Sequence, residues 1–207
     1  MVKKTNTHTV SRQLLLGTSF GFLVLAVYAY VAQMMNWEVR IFYWFYNLPY
    51  SWRQIMLALT MLGSSWMIVI ISLALFVRRK TRLSVYVLAV GLVTYGVSEI
   101  IKVIVVRPRP YEILVDVTSR ERFVSGLGFP SGHTAVATVI SLVLLPYLPK
   151  QLRWTVPVWI MAVAISRVYL GVHAPLDVVG GFLLGVLLWQ CFWLVHPVVK
   201  AWFRRLK

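Results

Sequence analysis

The chain has 207 residues, of which 59% are hydrophobic, 14% aromatic and only 13% charged, with a mean hydropathy of +0.76. A soluble core cannot use that much apolar surface, so a water-soluble globular domain is set aside. The 21 lysines and arginines against 6 acidic residues give a net charge of +15, yet no soluble basic domain exists to bring that charge to nucleic acid, and nucleic acid is not an expected partner.

The first apolar run, Gln13 to Trp37, follows Lys3, Lys4 and Arg12 and carries the small residues Ala29 and Ala32 near its end. It exceeds the roughly 7 to 15 residues of a secretory-signal core, so it reads as a retained membrane span. Glu38 to Gln54 follows, dense in Phe42, Tyr43, Trp44, Phe45, Tyr46, Tyr50 and Trp52, as expected of an interfacial helix at headgroup depth. It reads as a structural aromatic belt; the alternative is a surface that guides a lipid headgroup toward a site.

Ile55 to Val77 is a second uncharged run long enough for the roughly 20 residues that cross a bilayer, and Val178 to Val199 is the last. Between them lie three less uniform candidates: Leu83 to Val106, which carries Glu99 and Lys102; His133 to Leu148; and Trp154 to Gly171, which contains Arg167. The expected fold is therefore all-α, an integral-membrane bundle of about six transmembrane helices with a short interfacial helix after the first. Residues 1–207 read as one membrane domain, without internal repeats. The longest connection, Arg107 to Ser131, carries mixed charge and reads as an ordered extracytoplasmic loop. Cys191 is the sole cysteine, so no disulfide framework or cysteine metal cluster is expected.

Membrane proteins concentrate lysine and arginine in cytoplasmic loops. With six spans, one face receives Lys3, Lys4, Arg12, Arg78, Arg79, Lys80, Arg82, Lys150, Arg153, Lys200, Arg204, Arg205 and Lys207, and the other only Arg40, Arg53, Arg107, Arg109, Arg120 and Arg122. The expected protein is a multi-pass plasma-membrane protein with both termini cytoplasmic. The same count places three clusters of basic, hydroxyl and imidazole residues together on the extracytoplasmic side: Lys102 with Arg109-Pro110, Pro130-Ser131-Gly132-His133, and Ser166-Arg167 with His173 and Asp177.

These residue types suit a phosphate group. Negative charge spreads over three non-bridging oxygens during phosphoryl transfer and requires a positive cradle, which Lys102, Arg109 and Arg167 can supply. Glu99, three residues before Lys102, offers a purely structural ion pair instead, whereas an arginine inside a span is a functional hypothesis by default. Ser131 is a good N-cap, and the free amides of Ser131, Gly132 and His133 at a helix start can point at an anion, with glycine permitting close approach. Ser131 as a hydrolase nucleophile lacks its strand-turn-helix context. His173 and Asp177 stand four apart where a helix begins, so the carboxylate can hold one imidazole nitrogen and leave the other as nucleophile or base, with His133 as a proton donor. Two histidines and a carboxylate also resemble a metal triad, but the surrounding cations would repel a divalent ion, and no metal or other cofactor is expected. His8 and His196 have no such company.

The three clusters together resemble the signatures of the type 2 phosphatidic acid phosphatase superfamily of membrane lipid phosphatases, whose soluble relatives include vanadium haloperoxidases. Lys102 with six residues before Arg109-Pro110 matches the first signature, Pro130-Ser131-Gly132-His133 the second, and Ser166-Arg167, five residues, His173, three residues and Asp177 the third. The signature region is 102–177. A second pair, Arg107-Pro108, is out of register with Lys102, so the site role goes to Arg109.

The resemblance implies a metal-independent, two-step reaction. His173 attacks phosphorus, Asp177 orients it, His133 protonates the departing lipid oxygen, and water hydrolyses the phosphohistidine, while Lys102, Arg109, Ser131, Gly132 and Arg167 bind the phosphate. It implies a lipid phosphate substrate such as phosphatidylglycerol phosphate, phosphatidic acid, undecaprenyl diphosphate or phosphorylated lipid A. A membrane protein that binds lipid phosphate without catalysis is the alternative and would need a broken catalytic position.

Overall fold

The structure is a computed structural model and describes residues 12–122 and 124–205, with side chains described only as far as Val195. Lys3, Lys4, His8 and Lys207 lie outside the described residues, as do the side chains of His196, Lys200, Arg204 and Arg205. Every regular element among the described residues is helical: α1 (Arg12–Val31), α2 (Asn36–Tyr46), α3 (Arg53–Met61), α4 (Ser65–Val77), α5 (Thr81–Val105), α6 (Pro110–Ile113), α7 (Gly132–Leu144), α8 (Thr155–Tyr169) and α9 (Pro175–Arg205), with 3-10 turns at Tyr50–Trp52, Leu145–Tyr147 and Lys150–Leu152.

The all-α expectation holds, but the spans differ in detail. Helices α1 and α9, and α5 with the turn that follows it, are long and apolar enough to cross a membrane. The first run ends at Val31 rather than Trp37, and the chain restarts at Asn36 as α2. The second run is a pair: α3 and α4 meet at a 53° bend. The cause lies in Gly63-Ser64. A Cβ on Gly63 would stand 2.5 Å from the His133 carbonyl oxygen and 2.7 Å from Val163, so the bend presses bare backbone against α7 and α8, and Ser64 then caps α4. Helices α7 and α8 are short, at 13 and 15 residues, and Pro146 confines the continuation of α7 to a 3-10 turn.

Helix α7 is the centre of the bundle. Its residues from Thr134 to Ser141 are buried all round, enclosed by α5, α8 and α9, as suits a helix apolar or small on every face. Val136, Val139, Ile140 and Val143 join Ile68 of α4 and Leu83, Val87 and Val90 of α5 in the main core. Helix α9 comes closest. A Cβ on Gly181 would lie 2.4 Å from the Ser131 carbonyl oxygen, and one on Gly185 would lie 2.6 Å from Thr138 Cβ, the small-residue spacing by which membrane helices bring their backbones together. Ser72 and Ser84 exchange hydroxyl hydrogen bonds across α4 and α5, at 2.9 Å between the two oxygens, a polar tie suited to an apolar medium.

The aromatic segment divides between core and surface. Phe42 and Tyr46 of α2 are buried with Val117 and Val168, so they are core rather than belt, whereas Trp44, Tyr50 and Trp52 are exposed.

Helix direction sets what lies at each end. Lys102 stands in the last turn of α5 while Arg78 to Arg82 surround its start, about 31 Å away for the 21 steps from Thr81 at 1.5 Å each. His133 opens α7, Arg167 closes α8, and Lys150 and Arg153 lie in the turn that joins the other ends of those two helices. Helix α5 stops at Val106, whose backbone is left-handed (φ 51°, ψ 35°), an uncommon state for a β-branched residue. It swings Arg107 inward, and the prolines at 108 and 110 hold the residues before them out of the helical region, Arg109 being extended, until α6 begins at Pro110.

Candidate active site

Three helix ends and two connections converge on one cavity of about 250 Å³. Lys102, Arg109, Gly132, His133, Arg167 and His173 all line it, together with Tyr95, Glu99, Glu121, Val124 and Ser125. Six of the eight residues singled out from the sequence therefore share one space, although 71 positions separate the first from the last. Ser131 and Asp177 stand behind it, both fully buried.

Each cation is held differently. Lys102 Nζ donates to Glu99 Oε1 at 2.6 Å, the ion pair foreseen from their spacing. Arg109 has no carboxylate on its guanidinium: Nε donates to the Gly126 carbonyl at 2.7 Å, Nη2 to that of Ser125 at 2.9 Å and Nη1 to that of Val172 at 3.0 Å. Neutral acceptors orient the fork without cancelling its charge. Arg167 Nη1 donates to Thr60 Oγ1 and to Glu121 Oε2, both at 2.7 Å, and its buried Nε has no partner among the described residues.

The helix start at Ser131 forms as its sequence suggests. The Ser131 hydroxyl accepts from the Thr134 hydroxyl at 3.1 Å and weakly from the Thr134 amide at 3.5 Å. The side chain is thus a cap turned into the protein, and of the phosphate-binding set it alone does not line the cavity.

The turn before α9 carries His173. Its buried Nδ1 makes no hydrogen bond among the described residues, and Asp177 Oδ2 stands 3.5 Å away, in contact but beyond ordinary hydrogen-bond length. Burial first, and then the charges of Arg109, Arg167 and Lys102, hold the imidazole well below its ordinary value of 6.5, because each disfavours a second positive charge. The tight bonds of Asp177 go elsewhere: Oδ2 accepts from the Ala174 amide at 2.7 Å and Oδ1 from Arg107 Nη1 at 2.8 Å.

Arg107, out of register with Lys102 in the sequence, is the further residue that the fold brings to this group. Its side chain is 0% exposed, and besides Asp177 it donates from Nη2 to Glu38 Oε2 at 2.6 Å and from Nε to the Gln33 carbonyl at 2.8 Å. Glu38, equally buried, accepts from the Leu176 amide with its other oxygen at 3.0 Å. Burial pushes the Glu38 carboxyl up from the usual carboxylate range, while Arg107 and the Leu176 amide oppose that shift. The doubled Arg-Pro pair was the available signal for Arg107. Glu38, inside an aromatic run, offered none.

Among known proteins, the chain is 27% identical over 169 residues to the undecaprenyl-diphosphatase of Sulfolobus acidocaldarius, covering 79% of this chain and 82% of that one. It is 36% identical over 151 residues to phosphatidylglycerophosphatase B of Bacillus subtilis, covering 66% of this chain and 71% of the relative. Among solved structures, the transmembrane PAP2-type phosphatidylglycerolphosphate phosphatase of Bacillus subtilis superposes with a TM-score of 0.68 at 28% identity, over 93% of this chain and 97% of that one. A sequence profile of the PAP2 superfamily matches residues 81–201, a span that holds every cavity-lining residue named above, and the chain belongs to that superfamily.

Proposed function

We propose that the protein is an integral-membrane phosphatase that removes the terminal phosphate of a lipid phosphomonoester or diphosphate through a phosphohistidine on His173, without a metal ion. The observation that carries this reading is the gathering of two imidazoles and three cations around a single cavity. Named substrates of the relatives, undecaprenyl diphosphate and phosphatidylglycerol phosphate, set the class from which this chain's substrate is drawn, with phosphatidic acid beside them.

In the first step the free imidazole nitrogen of His173 forms a bond to phosphorus as the bond from phosphorus to the lipid oxygen breaks, and His133 gives that oxygen its proton. In the second, water attacks phosphorus, His133 takes back a proton, and the bond to His173 breaks, releasing phosphate. Lys102, Arg109, Arg167 and the Gly132 amide hold the non-bridging oxygens throughout. Asp177 beside Nδ1 directs attack to the far nitrogen, and catalytic contacts commonly tighten when substrate binds. Ser131 acts by capping α7. The donor chemistry supports a metal-free route: both Asp177 oxygens are engaged by Arg107 and the Ala174 amide, and the cavity's cations favour an anion over a divalent ion.

We also place the cavity on the extracytoplasmic side of the plasma membrane with both termini cytoplasmic. Support comes from the basic turns Arg78–Arg82 and Lys150–Arg153, which lie at the far ends of the helices that build the cavity, where the inside-positive bias puts them. Phosphate release by the purified, detergent-solubilised protein from a panel of lipid phosphates and diphosphates, with and without EDTA, tests this reading. EDTA-resistant release is expected, and release that EDTA abolishes would return the site to a metal mechanism.

A further inference from the structure

We infer that Arg107 and Glu38 are positioning residues for the His173–Asp177 pair, with Arg107 aiming the carboxylate and Glu38 keeping the buried cluster anionic. The inference rests on His173 being the nucleophile.

The geometry is a buried chain of three side chains leading to the imidazole. Arg107 is clamped from one side by the Gln33 carbonyl, which accepts from both Nε and Nη2, and by Glu38 Oε2 at 2.6 Å. Its remaining terminal nitrogen, Nη1, holds Asp177 Oδ1 at 2.8 Å. That bond, with the Ala174 amide on Oδ2, fixes the carboxylate so that Oδ2 is the oxygen facing His173 Nδ1. Glu38 is itself fixed by the amide of Leu176, one residue before Asp177. Its two oxygens thus span the arginine and the start of the helix that carries the carboxylate.

Charge explains why a second carboxylate is present. When His173 bonds to phosphorus its ring becomes cationic, and a neighbouring negative charge in a dry site stabilises that change strongly. An arginine bonded to Asp177 alone would leave a neutral pair beside the ring. Glu38 shares the guanidinium, so the two carboxylates and one guanidinium carry a net single negative charge next to the imidazole. All three side chains are 0% exposed, where such a charge is screened least.

Substitution of Glu38 by glutamine keeps the size and removes the charge, and because the amide nitrogen cannot accept a hydrogen bond it keeps only one of the two contacts. Glu38→Gln should lower kcat about 10- to 100-fold, the usual range for a residue acting through another, with KM held within about twofold because no phosphate contact is lost. The double variant Glu38→Gln/Arg107→Gln restores a single negative charge on Asp177. It should lose less kcat than the product of the losses in Glu38→Gln and Arg107→Gln, whereas two independent structural contributions would multiply. Melting temperatures in detergent separate loss of fold from loss of rate. Wild-type kcat in Glu38→Gln, or losses that multiply in the double variant at equal melting temperature, would overturn the inference. Should Glu38→Gln not yield folded protein, Arg107→Lys keeps the charge and loses the fork; a kcat equal to wild type in that variant would overturn the inference equally. His173→Ala, assayed alongside, distinguishes the two levels, since turnover by that variant defeats the nucleophile assignment itself.

Discussion

The amide of Ser131 donates to the backbone carbonyl of Asp177 at 2.9 Å, tying the start of α7 to the start of α9. That bond joins the helix that presents His133 to the helix start beside the turn that presents His173. Gly181 guards the same junction, since a Cβ there would lie 2.4 Å from the Ser131 carbonyl oxygen. Gly181→Val should force the two helices apart and destabilise the protein by about 1 to 3 kcal/mol, the usual cost of overpacking, with a larger fractional loss of turnover. Thermal melting in detergent beside phosphate release checks both halves; an unchanged melting temperature would mean the helices are free to separate.

Arg109 is oriented by three carbonyls, not by a carboxylate. Lysine in its place keeps one charge but leaves carbonyls of Ser125, Gly126 and Val172 without their donors and cannot bind two phosphate oxygens in parallel. Arg109→Lys should therefore reduce kcat/KM by about 100-fold or more. Near-wild-type kinetics in Arg109→Lys would remove the guanidinium from the phosphate cradle.

Because burial and three neighbouring cations lower the His173 value below 6.5, the imidazole stays neutral and nucleophilic as pH falls past the point where a free histidine is half protonated. The acid limb of kcat/KM assigned to His173 should accordingly fall below pH 6.5. Removing one cation with Lys102→Met should move that limb upward while weakening substrate binding. A pH profile of wild type and variant reads this directly, and a limb that moves down or stays fixed would show that His173 does not set it.

His133 lines the cavity on the first turn of α7 and is assigned the proton for the leaving oxygen. Such a donor matters least when the leaving group is already a stable anion. His133→Ala should cost about 100- to 10,000-fold with an alkyl phosphate and far less with an aryl phosphate of low leaving-group pKa. Equal losses across a leaving-group series would exclude the proton donor role.

Much of this site could be read in the sequence because its chemistry is carried by residue types that a membrane span does not tolerate without cause. Lys102, Arg167 and His173 stand out against apolar runs, and counting spans brings them to one end. The helix bounds were less legible. The bend at Gly63 depends on a carbonyl of His133 some 70 residues away, which no local pattern contains. Ser131 reads equally well as a cap or as a phosphate ligand, and its hydroxyl accepts from Thr134 in the cap position. Spacing from Lys102 identifies only Arg109 and not Arg107, whose partner Glu38 comes from α2 in a contact that exists only once α2 packs beside α9.

Trapping decides whether His173 carries the phosphoryl group. Purified wild type and His173→Ala are mixed with a lipid phosphate labelled on its terminal phosphorus, quenched in alkaline detergent within the first turnover, and examined for label on the protein. Label that survives alkali and is lost in acid, present on wild type and absent from His173→Ala, is the predicted result. Label of the same extent on His173→Ala, or phosphate release by that variant at the wild-type rate, would contradict the phosphohistidine.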